Sequence, residues 1–203
     1  MDTIFAALIG YLLGSIPFGL LLTRFAGLGD VRNIGSGNIG ATNVLRTGNK
    51  RLAAFTLLGD LGKGLAAVLI ARALFDQPDL VSQAAYGPVP AAALGAVLGH
   101  CFPVWLRFKG GKGVATNAGV CFGLAWPIGL TYALVWIGLL AGLRISSLAG
   151  MAAVVCAAIA AVLLGYIAFV PVLVLIALLV IWLHRANIVR LAKGEEPKVG
   201  AKK

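Results

Sequence analysis

"IFAALIGYLLGSIPFGLLL", residues 4–22, carries no charged side chain. It is about as long as the roughly 20 apolar residues with which an α-helix crosses a hydrocarbon core. The rest of the chain agrees. Of its 203 residues, 60% are apolar and only 12% charged, so the chain has far more hydrophobic surface than one core of this size could bury in water. Further apolar runs at Leu52–Leu74, Val89–Leu106 and Leu148–Leu183 approach or exceed the same length. Lipid satisfies no stray backbone donor or acceptor, so these runs are expected to be helices. The first run is flanked by Asp2 and by no Lys or Arg, and no small-residue cleavage pattern follows it. It therefore reads as a retained span rather than a secretory leader.

Two breakers decide the number of spans. Gly113–Leu143 and Leu148–Leu183 are each long enough for one long helix or two short ones. "AWP" at 125–127 and "GYIAFVP" at 165–171 stand near their middles as tight-turn signals. Splitting both predicts an all-α integral membrane bundle of seven transmembrane helices; splitting neither predicts five. Charge favours seven. With the N-terminus outside and the C-terminus cytoplasmic, residues 24–51, 107–112, Arg144 and the tail from Arg185 face the cytoplasm. That side then holds all but Lys63 and Arg72 of the 17 basic residues, as the positive-inside rule requires. The facing loop "FDQPDL", 75–80, has two aspartates and no base.

The formal charge of +10 does not point to nucleic acid, because the bases are scattered between hydrophobic spans rather than gathered on a soluble domain. Cys101, Cys121 and Cys156 lie in or beside apolar runs without metal-ligand spacing, which fits small hydrophobic packing. Small residues four apart, "GYLLG" at 10–14 and "GAVLG" at 95–99, predict close helix contacts. Residues 1–196 are expected to form one helical domain, and 197–203 a short basic tail, disordered beyond about Glu196.

The polar residues gather in three segments on the cytoplasmic side. In "DVRNIGSGNIGATNVLR", 30–46, glycines allow backbone N–H groups to converge on an anion, Ser36, Asn38 and Asn43 offer neutral hydrogen bonds, and Arg46 a planar charged fork. A flexible linker is the alternative, but it would need neither asparagines nor arginine. In "HCFPVWLRFKGGKGVATNAG", 100–119, the turn formed by Lys109, Gly110, Gly111, Lys112 and Gly113 precedes a span, where free N–H groups and the helix dipole favour an anion. It is not a nucleotide-hydrolysing Walker loop, since Gly113 stands where Ser or Thr should follow the lysine. In "WLHRANIVRLAKGEE", 182–196, His184 and Asn187 share a helix face, while Arg185 and Arg190 face lipid headgroups. Deeper in the second span, Asp60 and Lys63 are spaced to pair, and they read as an ion pair supporting the site rather than a proton path. Together the segments describe a cationic, glycine-lined site for a phosphate ester, beside helices that admit a lipid chain.

"D-x-R-N-x-G-S-G-N-x-G-A-T-N-V-x-R", "GHCFPVWLRFKGGKGVAT" and "HRANIVRLAKGEE" closely resemble, in order, the three cytoplasmic motifs of the membrane-integral bacterial acyl-phosphate:glycerol-3-phosphate acyltransferases. The resemblance covers nearly the whole chain. It implies transfer of a fatty acyl group from acyl phosphate to the 1-hydroxyl of sn-glycerol 3-phosphate in the bacterial inner membrane, with lysophosphatidic acid and phosphate as products. This is the first acylation of phospholipid synthesis. It also implies catalytic roles for Ser36, Arg46, His184 and Asn187, and phosphate binding by Gly110, Gly111, Gly113 and either Lys109 or Lys112. A structural role would fall on Glu195. No metal or other cofactor is implied, and the partners are the two substrates, membrane lipid and, on the basic face, enzymes of fatty acid synthesis.

The donor is a mixed anhydride with an activated carbonyl, so proximity and positive charge matter more than base strength. Neither an H-x-x-x-x-D pair nor a G-x-S-x-G elbow is present: Trp105 stands five residues after His100 and Val189 five after His184. Direct transfer without an acyl-enzyme is therefore expected, with His184 as a general base the alternative. A phosphate-ester transporter would show repeats and a midplane site, a lipid scaffold would leave the serine and asparagines unexplained, and a CDP-alcohol phosphotransferase would need an Asp-rich metal motif.

Overall fold

The computed structural model describes residues 1–75 and 85–200; the loop at 75–80, apart from Phe75, lies outside them. All regular structure among the described residues is helical. In chain order the helices are α1 (Asp2–Gly14), α2 (Phe18–Phe25), α3 (Ala41–Val44), α4 (Lys50–Phe75), α5 (Pro88–Cys101), α6 (Val114–Leu124), α7 (Trp126–Leu143), α8 (Ser146–Leu163), α9 (Val170–Leu183) and α10 (Arg185–Ala192).

Both breakers act where the sequence puts them. Ala125 is extended (φ −160°) between α6 and α7, with Pro127 in the first turn of α7. Gly165 has φ +80° in the turn between α8 and α9. Among the described residues, seven apolar segments result, counting α1 with α2. The stretches 24–50, 102–113, 144–145 and the tail lie at the same end of the bundle, because residues from each approach meet around one cavity there. Among the described residues, five segments are long and apolar enough to cross a membrane alone; α9 makes a sixth when joined to α10 across a bend of 60°. The seventh, α6, has 11 residues and at 1.5 Å per residue reaches roughly 16 Å, half a hydrocarbon core.

Small residues set the packing. Gly10 and Gly14 of α1 lie against the Ala92 and Ala96 carbonyls of α5, while Gly95 and Gly99 of α5 lie against the Ala7 and Tyr11 carbonyls of α1. The two glycine motifs therefore face each other, and a methyl at any of these four positions would overlap backbone. The pair α4 and α6 repeats the device, with Gly64 against the Thr116 carbonyl and Gly119 against that of Leu61. Contacts this close supply dispersion energy that lipid cannot match.

Several polar groups inside the bundle serve helix breaks and helix ends. Where α1 gives way to α2, Lys63 Nζ donates to the Ile16 carbonyl at 2.8 Å and Trp105 Nε1 to that of Ser15 at 2.9 Å. Where α6 stops short, Arg72 Nη2 donates to the Leu124 carbonyl at 2.5 Å. Tyr132, fully buried, donates through its hydroxyl to the Val114 carbonyl at 2.8 Å.

Gly14→Leu should prevent close packing of α1 on α5 and cost at least the roughly 1–3 kcal/mol of an overpacked core, read as a lower unfolding temperature in detergent. Gly138→Ala, on a part of α7 with nothing within 4 Å of the new methyl, should leave that temperature unchanged or raise it slightly.

Candidate active site

Three walls close a cavity of about 310 Å³ at the polar end of the bundle. The first wall is the loop 30–46. Its entry is pinned by Asp30, whose carboxylate accepts from Arg32 Nε and Nη2 at 2.9 and 2.6 Å and from Arg24 at 2.9 Å. The Arg32 bonds hold the Asp30 carboxyl well below the usual carboxylate range. Asn43 is the hub of the loop. Its Nδ2 donates to the carbonyls of Val31, Ile34 and Asn38 at 2.8, 3.1 and 2.8 Å, and its Oδ1 accepts the Ser36 N–H at 3.0 Å. Asn43, an expected substrate-binding residue, lines the cavity and is buried, with both ends of its amide bonded to backbone. Ser36, Asn38 and Arg46 line the cavity, with the Arg46 side chain lying over Gly35.

The second wall is the turn before α6. The two lysines part here: Lys112 lines the cavity and donates to Asn187 Oδ1, whereas Lys109 is exposed and outside it. Burial, then the charge of Arg190, pulls the Lys112 ammonium below the ordinary lysine value, against the opposing pull of Glu196. Gly113 lines the cavity at the start of α6 with φ +83°, a conformation that favours glycine. The resemblance assigns Gly110 and Gly111 to phosphate binding. Their N–H groups donate to the Cys101 and His100 carbonyls at 3.0 and 2.9 Å, and neither residue lines the cavity. Those donors are not available to an anion.

The third wall is the end of α9, α10 and the tail. His184 is buried, with Nδ1 2.7 Å from the Val180 carbonyl. In the neutral ring that contact places the proton on Nδ1 and leaves Nε2 as the acceptor. Asn187, one turn on, joins Lys112 to the carboxylate of Glu196 through Nδ2 at 2.6 Å. Glu195, the glutamate expected to be structural, is exposed, and the carboxylate bonded here is that of Glu196. Glu196 also accepts from Ser147 Oγ and from Arg190 Nε, each at 2.7 Å. Beyond Glu196, the Val199 N–H donates to the Arg144 carbonyl at 2.7 Å, and Arg144 returns two bonds to the Val199 carbonyl. Pro197 and Val199 line the cavity.

The floor holds the Asp60–Lys63 pair, 2.8 Å apart and buried, as its spacing predicts. It also holds a residue that sequence reasoning left unassigned, His100, whose Nδ1 lies 3.5 Å from Asp60 Oδ1. His100 opens the second motif, and its proximity to Asp60 was the missing signal. Leu57, Val114, Trp136 and Leu140 give the cavity an apolar side. Nothing in the order of the sequence marks Trp136, Leu140 or Ser147, because only packing brings α7 and α8 to the site.

Fold and site define the chain as an integral membrane helical protein with a cationic cavity at one end and an apolar wall beside it. A family model described as glycerol-3-phosphate acyltransferase matches residues 4–194. The chain is 66% identical over 202 residues to a glycerol-3-phosphate acyltransferase of Erythrobacter litoralis (strain HTCC2594), covering 100% of this chain and 98% of that one. It is 55% identical to that of Brucella anthropi, with coverage of 98% and 95%. Among solved structures, it resembles PlsY (YgiH), an integral membrane glycerol 3-phosphate acyltransferase, in its glycerol 3-phosphate form. That match has TM-score 0.89 and 38% identity, and covers 98% of this chain and 96% of that one. The lysophosphatidic acid form of PlsY matches at TM-score 0.86 and 36% identity, with coverage of 98% and 95%. The chain belongs to the glycerol-3-phosphate acyltransferase family.

Burial opposes ionisation of Glu196, but the bonds from Ser147, Asn187 and Arg190 outweigh it and hold the carboxyl below its ordinary value. Stabilisation from a carboxylate lowered in this way is complete above the ordinary carboxylate range and is lost as pH falls through the lowered value. Glu196→Gln should therefore lower the unfolding temperature near neutral pH, by the roughly 1.5–3 kcal/mol of a charge-assisted hydrogen bond, and should flatten its decline on acidification. Glu195→Gln should change neither, and equal effects of the two would refute the assignment.

Proposed function

We propose that the protein transfers a fatty acyl group from acyl phosphate to the 1-hydroxyl of sn-glycerol 3-phosphate, releasing lysophosphatidic acid and inorganic phosphate. The reaction takes place at the cytoplasmic face of the bacterial inner membrane, as the first acylation of phospholipid synthesis. One observation carries this reading above the others: Arg46 and Lys112, from separate walls, face one cavity that also has an apolar side. Such a cavity suits two phosphates and an acyl chain together.

Membership of the family supports the acceptor and product; the donor follows from chemistry. An acyl phosphate brings an activated carbonyl, so the site needs to supply contact and charge. Holding hydroxyl against carbonyl contributes up to roughly 7–11 kcal/mol in well-aligned cases. Arg46 and Lys112 bind phosphate, and Ser36 and Asn38 add neutral hydrogen bonds. Asn187 aims Lys112 through their hydrogen bond. The acceptor oxygen attacks the carbonyl carbon, the carbonyl re-forms as the bond to phosphate oxygen breaks, and the departing phosphate takes the hydroxyl proton. No acyl-enzyme forms. The free Nε2 of His184 offers a second acceptor for that proton, which near-normal turnover in His184→Ala at saturating substrate would remove.

Purified protein given acyl phosphate and glycerol 3-phosphate should release phosphate, and acyl-CoA in place of acyl phosphate should give little product; equal use of the two donors would overturn the donor assignment. Arg46→Ala should lower kcat/KM for glycerol 3-phosphate by about 100-fold, close to 2.7 kcal/mol. Lys112→Met should fall similarly while Lys109→Met stays near the unmodified protein. Rapid-quench trapping of an acylated protein would refute direct transfer.

A further inference from the structure

The glycines of "KGGKG" have a cause that anion binding does not supply. Gly111 lacks the positive φ that favours glycine, and its N–H is already bonded to the His100 carbonyl. Alanine would keep both that backbone conformation and that hydrogen bond. What alanine would not fit is the His100 ring: a Cβ at 111 would fall onto the imidazole, 2.7 Å from Cε1 and 2.8 Å from Cδ2, with Nε2 nearer still. The ring has little room to retreat. It is 3% exposed, and its Nδ1 faces Asp60 Oδ1, which is itself paired with Lys63. Lys63 in turn is tied to the Ile16 carbonyl at the break between α1 and α2. Immediately after Gly111 comes Lys112, whose reach to Asn187 depends on the height of the turn.

We propose that His100 is a positioning residue: its imidazole, wedged between Asp60 and the Gly111 backbone, sets the turn that aims Lys112 into the cavity, and glycine is needed at 111 because of that ring. His100 acts through Lys112 and need not touch the reacting atoms. The proposal rests on the acyl-transfer reading for its kinetic assay only, since the steric argument concerns the chain itself.

The test is suppression, using full-length protein in detergent with palmitoyl phosphate and glycerol 3-phosphate. Gly111→Ala should raise KM for glycerol 3-phosphate at least tenfold with a smaller effect on kcat, and should lower the unfolding temperature. His100→Ala alone, which removes the ring that sets the turn, should raise KM about threefold, and adding it to Gly111→Ala should relieve the clash and return KM and unfolding temperature to the level of His100→Ala alone. In a Lys112→Met background, Gly111→Ala should add no further rise in KM, which a general loss of packing would not spare. Near-normal behaviour of Gly111→Ala, or a double variant no better in KM and unfolding temperature than Gly111→Ala, would overturn the proposal. If unmodified protein fails to turn over palmitoyl phosphate, the functional reading fails separately, and recovery of the unfolding temperature in the double variant still decides the steric claim.

Discussion

A bilayer offers no hydrogen-bond partner to a backbone carbonyl, so every helix break inside it must be completed from within the protein. The bundle depends on that constraint. The two basic residues that the sequence leaves inside apolar spans are Lys63 and Arg72, and each donates to a carbonyl at a break: Lys63 to Ile16 between α1 and α2, Arg72 to Leu124 at the end of α6. Because α6 stops after 11 residues, its partner α4 carries the arginine that caps it. The cost of taking a cation out of water is offset at Lys63 by Asp60, whose position also brings in His100. The structural solution to a broken span is thus continuous with the floor of the cavity.

Close backbone approach makes these distances possible. The glycines of α1 and α5 meet reciprocally, and those of α4 and α6 do the same. Together these contacts bring Tyr11 to the Phe102 carbonyl at 2.8 Å, tying the loop after α5 to the first helix. The cavity inherits its rigidity from helices that cannot slide without overlapping carbonyl oxygens. The polar loop 30–46 has no such support from helix packing and instead organises around the Asn43 amide, a small network in which each polar end has a partner.

The electrostatics of the site follow from the same economy of partners. Lys112, Arg190 and Arg185 repel one another, and Glu196 is the carboxylate that offsets them, placed by Ser147 at the start of α8 and by Asn187 on α10. Arg144 holds the tail so that Glu196 and Pro197 remain over the cavity. Arg46, Lys112 and Arg190 leave the cavity lining with more positive than negative side chains.

The sequence by itself determined the helical bundle, its two turns at Ala125 and Gly165, the glycine motifs for close helix contact and the Asp60–Lys63 pair. Each of these is local: length, hydropathy, a breaker or a spacing of three or four residues is enough to state it. The gathering of Ser36, Arg46, Lys112, His184 and Asn187 was legible as three polar segments sharing one end. What they do there was less so. Only the tertiary structure decided that Lys112 rather than Lys109 enters the cavity, that Glu196 rather than Glu195 holds α10 and α8 together, that Asn43 serves the loop, and that Gly110 and Gly111 pack around His100. Neighbouring residues of the same type differ only in the direction their side chains take, and that direction is set by contacts between segments far apart in the chain.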